Sequence, residues 1–164
     1  TAGGNCPCFA GGIATDPSRR ILRQVWKINL GGRQMTTEIK MLAIVALMTG
    51  LMWVPYMLNL VMVRGLASAV GYPENPPPMA PWAQRLKAAH ANSVENLVVF
   101  GALVLASHAA GISNAATATC ATVYLWARVV HALSYTFAVP WVRTLSFAVG
   151  VGANVCIAEQ LLRL

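Results

Sequence analysis

The fold is decided by residues 41–63, which read MLAIVALMTGLMWVPYMLNLVMV and contain no charged side chain. As an α-helix these residues rise by about 34 Å, slightly more than the ~30 Å hydrocarbon core of a bilayer. Pro55 predicts a kink, which membrane helices tolerate. Arg64 and Gly65 predict the end of the helix. The stretch therefore predicts a membrane-spanning helix over about residues 39–64.

Loop, turn and helix-start signals in the remaining chain predict three further helices. Residues 72–81 contain five prolines and predict an exposed loop. No charged residue lies between Asn96 and Arg128, a stretch too long for one span, and the turn and N-cap pattern at residues 111–114 divides it. Pro140 marks one more helix start. We therefore expect an all-α bundle of four transmembrane helices, at about 39–64, 82–110, 114–137 and 141–162.

The composition agrees with a membrane protein and excludes several other classes. Hydrophobic residues make up 57% of the chain and charged residues only 10%, whereas an ordinary soluble domain carries about 25% charged residues. Such high hydrophobicity also excludes intrinsic disorder of the whole chain. The net charge is +7, but five of the twelve basic residues lie within residues 1–34. The body has no basic stripe, so a nucleic-acid partner is not expected.

Residues 1–34 differ from the rest of the chain. They are broken by glycine pairs and lack the apolar core of a signal peptide. Residues 19–30 have the pattern of a short basic amphipathic helix, and a start-like sequence follows at Met35. We interpret residues 1–34 as a disordered or non-native N-terminal extension and residues 35–164 as the four-span membrane domain. The alternative is an interfacial anchor.

The four cysteines predict no metal site. Cys6 and Cys8 lack the second ligand pair that a zinc site needs, while Cys120 and Cys156 lie in apolar runs. We expect free buried thiols rather than a disulfide or a metal ligand.

The basic residues near the spans predict the orientation. Arg64, Arg85, Lys87 and Arg143 lie on one side of the bundle, and Lys40 and Arg163 on the other. The first side is expected to be cytoplasmic, in a multi-pass protein of a bacterial inner membrane. The basic residues of the N-terminal extension oppose this orientation.

Polar side chains inside the spans predict a ligand site, because ionisable residues in a membrane usually have a partner or a function. The second predicted helix carries Arg85, Asn92, Glu95 and Asn96 on one face, and the third carries Tyr124, Arg128, His131 and Tyr135 on one face. The fourth begins with Arg143 and Thr144 and has Asn154 on the same face as Arg143. The up-and-down topology places the three groups at similar depth, in the cytoplasmic half.

Two interpretations of these residues remain open. Glu95 and Arg128 would form a buried ion pair that fixes helix packing, or the whole set would form a pocket. The pocket would be positively charged and would favour an anionic ligand, while a hydrophobic small-molecule substrate would enter through the bilayer. The roles of Pro55 and Asn59 on the first helix stay undecided.

Two motifs resemble a known family. Residues 89–96, AHANSVEN, are similar to the second-helix signature of the membrane-associated proteins in eicosanoid and glutathione metabolism (MAPEG). Arg128 and His131 with Tyr135, followed by Pro140 and the pair Arg143-Thr144, resemble the signature of its third and fourth helices. The similarity is greatest to the microsomal glutathione transferase and prostaglandin E synthase branch, in a bacterial-type form. It covers about residues 36–164.

The resemblance implies a homotrimer of four-helix subunits that holds glutathione between neighbouring subunits on the cytoplasmic side. The family positions that hold glutathione correspond to Asn92, Glu95, His131 and Tyr135 of this chain. Arg128 matches a family arginine of the third helix, which would have a more structural role. Arg143 and Thr144 would be catalytic, Arg143 by stabilising the thiolate. Two departures are Ala88 and Ala91, which stand where eicosanoid-forming relatives have arginines.

The resemblance also implies the activity. The protein would join a thiol, glutathione, to an apolar electrophile, or reduce a lipid hydroperoxide. The alternative is a non-catalytic membrane protein of the same fold that binds lipids or small molecules.

Overall fold

The computed structural model describes residues 35–71 and 73–163, and every regular element in them is an α-helix. The predicted extension with its amphipathic helix, Cys6 and Cys8 lies outside the described residues, so its interpretation stays a prediction. The helices are α1 (Thr37–Leu51), α2 (Trp53–Arg64), α3 (Leu66–Val70), α4 (Pro81–Ala109), α5 (Ala115–Thr136) and α6 (Pro140–Leu162). Together, α1 and α2 occupy the predicted range 39–64, and α4, α5 and α6 agree with their predicted ranges to within one residue.

Three helical segments are long and apolar enough to cross a bilayer, judged by length and composition: Thr37–Arg64, Pro81–Ala109 and Pro140–Leu162. The remaining long helix, α5, packs most extensively against α6. The predicted all-α architecture of four long helices is therefore confirmed.

The first span is interrupted where the sequence predicts a kink. Proline lacks an N–H, and its ring clashes with the carbonyl four residues earlier; for Pro55 that residue is Leu51, the last of α1. The N–H of Met52 bonds instead to the Thr49 carbonyl at 3.2 Å. Pro55 thus divides the span into α1 and α2.

The helix boundaries follow from local chemistry. Pro81 and Pro140 occupy the first turns of α4 and α6, where the missing N–H has no cost. The sequence predicts an N-cap at Asn114, and the structure shows that Asn114 and Thr117 form a reciprocal capping box at the start of α5. Before it, α4 ends in a Schellman motif with Gly111 at φ 71° and the Ile112 N–H bonded to the Ser107 carbonyl at 2.8 Å.

The core lies where the four long helices meet. Its buried members come from every span: Val45, Phe100, Val104, Ala121, Tyr124, Ala153 and Ile157. The rings of Phe100 and Tyr124 stack with their centroids 3.9 Å apart. This core fixes the rotation of α4 and α5, and so decides which polar residues point inward.

The expectation of free thiols at Cys120 and Cys156 is wrong. The two residues form a disulfide between α5 and α6, with their Cα atoms 6.4 Å apart. The helices are antiparallel and joined by a tight turn, so residues at equal distances from the turn lie side by side. Residue spacing along the chain does not reveal that both cysteines also face each other.

Candidate functional site

Arg128 is the largest fully buried side chain of the described bundle, with 1% of its surface exposed. Its Nη2 donates to Asn92 Oδ1 at 2.9 Å and to Ser93 Oγ at 3.1 Å. A buried guanidinium is costly unless its N–H groups find acceptors, and these two belong to α4. Arg128 therefore ties α5 to α4, and the structure brings it together with the predicted site residue Asn92.

The expected ion pair between Glu95 and Arg128 is not formed. Glu95 is exposed on α4, and the ion pair found among the described residues joins Arg163 to Glu159 at the far end of α6. At 100° per residue, Glu95 is rotated by about 110° from the direction midway between Asn92 and Ser93. The helix therefore turns Glu95 outward while Asn92 and Ser93 face α5.

His131, Tyr135 and Arg143 meet where α5 leads into α6. His131 is 3% exposed, and its Nδ1 lies 3.1 Å from the Arg143 carbonyl oxygen. The Arg143 guanidinium carbon lies 4.9 Å from the centroid of the Tyr135 ring, within the range of a cation–π contact. The His131 and Tyr135 rings meet edge to face at 5.8 Å. Three predicted site residues thus form one cluster.

This cluster borders a cavity of about 180 Å³ at the end of the bundle where α4 and α6 begin. Its lining residues are Arg85, Ser134, Tyr135, Ala138, Val139, Pro140 and Arg143. Two of the residues are arginines and none is acidic, so the cavity favours an anion. Val139 and Pro140 form the start of α6, where the helix dipole adds further positive potential.

Two predicted residues do not line the cavity. Thr144 is exposed, and its hydroxyl donates to the Pro140 carbonyl of its own helix at 3.0 Å. Glu95 lies on the outer face of α4, as do Ala88 and Ala91. Within a single chain, that face belongs to the surface of the bundle.

Sequence reasoning missed the part that Arg85 and Ala138 play in the cavity. Arg85 belongs to the polar face of the second predicted span, and its Nε–H donates to the Thr136 carbonyl at 2.8 Å. Ala138 has φ 62° and ends α5 in a second Schellman motif, in which the Val139 N–H bonds to the Ser134 carbonyl at 2.8 Å. Because glycine is the usual residue at this position, an alanine gives no sequence signal for it.

Asn59 has a structural role that the sequence left undecided. Its Oδ1 accepts the N–H of Ala80 at 3.0 Å and so caps α4, whose own N-cap residue has no polar side chain. On the same helix, the Tyr56 hydroxyl is hydrogen-bonded to His90 Nδ1 at 3.0 Å. His90 is therefore held between α2 and α4. These contacts hold α2 against α4 and lie apart from the residues that line the cavity.

A larger groove of about 420 Å³ lies between α5 and α6 on the outside of the bundle. Its walls are apolar and include Trp126 and Val130 from α5 and Leu145 and Val149 from α6. No charged residue lines it, so it offers apolar surface alone. Among residues 35–71 and 73–163, no cluster of three or more histidine, cysteine or acidic side chains is placed to hold a metal ion.

Comparison with known proteins identifies the family. The model of the MAPEG family matches residues 41–163, which include the second, third and fourth spans. The chain therefore belongs to the MAPEG family, and with its apolar helices it is an integral membrane protein. A search of curated proteins found no match.

Proposed function

We propose that this protein is a membrane-embedded glutathione transferase or peroxidase, which uses a thiol to attack an apolar electrophile or a lipid hydroperoxide. The observation that carries the proposal is the cavity in which Arg143 and Arg85 meet at the start of α6. MAPEG membership is consistent with a glutathione-related role in general. In this proposal glutathione is the cosubstrate.

Arg143 would activate the thiol. A free thiol has a pKa near 8.5, so little thiolate is present at neutral pH. A cation within hydrogen-bond reach stabilises the thiolate and lowers that pKa. Arginine suits this task because it stays charged when partly buried. The adjacent start of α6 supports the same effect through its dipole.

His131 and Tyr135 would hold Arg143 in place. The Nδ1–H of His131 anchors the main chain of Arg143, and the Tyr135 ring lies against its guanidinium. Asn92 and Arg128 stabilise the neighbouring helix pair. In this proposal Arg143 contacts the thiol directly, and His131 positions Arg143.

The second substrate would come from the bilayer. The thiolate sulfur forms a bond to an electrophilic carbon, and the leaving group departs with its electron pair. With a hydroperoxide, the sulfur attacks the terminal oxygen, the O–O bond breaks, and the lipid leaves as an alcohol while the sulfur keeps the oxygen as a sulfenic acid. A second thiol then displaces that oxygen as water, and a disulfide forms. The apolar outer faces of α5 and α6 support an apolar partner.

Self-association would complete the site. Glu95 is an ionisable residue in a span, exposed on the single chain, and such residues usually face a partner. A homotrimer would cover this face of α4 and bring Glu95 of one subunit toward the cavity of its neighbour. Glu95 thus supports a site shared between subunits, in which glutathione is held by both.

The cavity would open to the cytoplasm of a bacterial cell. Arg64, Arg85, Lys87 and Arg143 lie at the same end of the bundle, as the positive-inside rule requires. The disulfide between Cys120 and Cys156 lies in the opposite half, and disulfides persist in oxidising compartments. Both features support a bacterial inner-membrane protein with its site on the cytoplasmic side.

A second candidate function is a non-catalytic protein of the same fold that binds lipids or small molecules. The position of Thr144 favours it, because its hydroxyl is bonded to its own helix and lies outside the cavity. This candidate predicts ligand binding without turnover.

Stopped-flow titration of the thiolate absorbance tests the proposal. Wild-type protein should form bound thiolate below pH 8, and Arg143→Ala should raise the pKa of the bound thiol by about one unit, or about 1.4 kcal/mol. Arg163→Ala, which removes an exposed arginine at the opposite end, serves as control. Equal titration of wild type and Arg143→Ala would refute the role of Arg143. Glutathione binding by calorimetry without turnover of an aryl halide would favour the second candidate.

A further inference from the structure

The apolar groove between α5 and α6 continues toward the end of the bundle opposite the cavity. This groove of about 420 Å³ is joined by a second space of about 260 Å³, because Thr122 and Val123 line both. The second space lies beside the starts of α1 and α5, and its other lining residues are Thr37, Ala118 and Thr119. The two spaces form one continuous groove along α5, which we call the lateral groove.

Small side chains at the contact between α5 and α6 create the apolar part of the lateral groove. Ala127 of α5 and Ser146 of α6 are buried and line it, so they form its floor. Larger and more exposed side chains, among them Trp126 of α5 and Leu145 of α6, form its walls. The shape of the groove is therefore set by the helix pair itself.

The length and width of the lateral groove suit a single hydrocarbon chain. From Ala118 to Val130, α5 rises by about 18 Å, slightly more than one leaflet of a ~30 Å hydrocarbon core. The apolar part, from Thr122 to Val130, is about 12 Å long, so that its volume of about 420 Å³ corresponds to a cross-section of about 35 Å². An α-helix about 10 Å wide would need about 80 Å². A helix of a second copy is too thick to lie in the groove, whereas an acyl chain fits.

The lateral groove becomes polar at its mouth, where the headgroup of a lipid would lie. Thr37 and Thr119 bring hydroxyl groups there. Lys40 follows Thr37 by about one turn of α1, on the same side of that helix, and it is exposed. Within residues 35–71 and 73–163 no acidic side chain pairs with Lys40. A lipid phosphate at the membrane surface would provide the missing negative charge.

We infer that the lateral groove binds one acyl chain of a phospholipid from the leaflet opposite the cavity, with the lipid phosphate near Lys40. Apolar walls as long as one leaflet and a cation at the mouth carry this inference. No residue of the described chain lines both the groove and the cavity, so the bound chain leaves the thiol site free. The inference does not depend on the proposed function.

Native mass spectrometry of the purified full chain tests this inference. The protein would be stripped of lipid in detergent and titrated with palmitoyl-oleoyl-phosphatidylglycerol, and each lipid-binding step would be measured. Val123→Trp fills the junction of the two spaces and should weaken the tightest binding step by about tenfold or more, because the acyl chain loses its contacts with the walls. Lys40→Gln should weaken the same step by about fivefold, since an ammonium–phosphate attraction at the membrane surface is lost.

Val151→Trp is the matched control. Val151 of α6 is 42% exposed and Val123 is 40% exposed, but Val151 is not among the described residues that line the groove. Its substitution should leave the tightest lipid-binding step unchanged. Trp126→Ala is a second variant, which removes one exposed wall without adding bulk and should weaken that step by about fivefold. A thermal unfolding curve identifies any variant that misfolds, and Trp126→Ala decides the test if Val123→Trp does.

The outcomes are distinct. If Val123→Trp weakens the tightest lipid-binding step and Val151→Trp does not, the inference holds. If the two substitutions have the same effect, or if Val123→Trp lowers the mass of the assembly and leaves lipid binding unchanged, the inference is overturned, and in the latter case the groove is a contact between copies. Unchanged binding in Lys40→Gln would overturn the place given to the phosphate. The thiolate titration of Val123→Trp should match that of wild type, so failure of this inference leaves the proposed function standing.

Discussion

His131 on α5 donates its Nδ1–H to the main-chain carbonyl of Arg143 on α6, across 3.1 Å. A carbonyl oxygen only accepts, so Nδ1, and not the other ring nitrogen Nε2, is the donor in this contact. That Nε2 is buried and has no hydrogen-bond partner within the described part of the chain. The contact joins the last turns of α5 to the first turn of α6 and so fixes where Arg143 lies.

His131→Phe tests this positioning. Phenylalanine keeps the ring packing against Tyr135 and Phe147 but loses the bond to the Arg143 carbonyl. We expect a loss of stability of about 1 kcal/mol and a reduction in turnover of about tenfold, because a displaced catalytic group reacts poorly. The pKa of the bound thiol should rise, in the same direction as in Arg143→Ala.

The measurement is the pH titration of thiolate absorbance together with kcat. His108→Phe, an exposed histidine near the other end of the bundle, should leave both unchanged. A His131→Phe protein that is less stable but titrates like wild type would show that His131 only supports the fold.

Ala138→Gly should stabilise the protein. The left-handed conformation of Ala138, φ 62°, costs about 1–2 kcal/mol for a residue with a Cβ. Glycine removes that strain, although it adds about 0.4–1 kcal/mol of entropy to the unfolded chain. The net gain should be about 0.5–1 kcal/mol in thermal unfolding of the purified protein.

Gly111→Ala is the reverse experiment at the equivalent position of the other Schellman motif. Gly111 has φ 71°, and a Cβ added there would meet no atom within 4 Å, so strain alone should lower stability, by about 1–2 kcal/mol. Changes of the same sign in the two variants would contradict the conformational explanation.

Glu38→Gln should destabilise the end of the bundle opposite the cavity. Glu38 is 3% exposed and accepts hydrogen bonds from Thr117 Oγ1 and from Ser113 Oγ at 3.2 Å. Its negative charge lies at the N-terminus of α5, where the helix dipole favours it. Replacing the carboxylate by an amide should cost about 1–3 kcal/mol.

Thermal unfolding checks this value, and glutathione affinity should stay unchanged because the cavity lies at the other end. Glu159→Gln is the control, since its exposed pair with Arg163 contributes at most about 1 kcal/mol. An equal effect of the two substitutions would refute the role given to Glu38.

The sequence predicted the helices well because their signals are local. An uncharged run long enough to span a bilayer, proline at helix starts and the Asn114 N-cap act within a few residues of where they stand. The depth of the polar residues was also predictable, since the up-and-down order of the spans fixes it. Arg128 and Asn92 meet as that depth requires.

Contacts between helices were less predictable. Glu95 was expected inward with Arg128 and lies on the outer face, and Cys120 and Cys156 were expected as thiols and form a disulfide. Both depend on how far each helix is rotated about its axis. That rotation is set by packing of the core around Phe100 and Tyr124, which involves residues distant in sequence.

By itself, then, the sequence determined that the chain forms four long helices, where they begin and end, and at which end the arginines lie. Only the tertiary structure decided that Arg85 and Arg143 share one cavity and that His131 holds Arg143 in place. The physical reason is the range of the forces involved. Helix formation and membrane insertion depend on local composition, while the direction of a side chain depends on the packing of every helix against its neighbours.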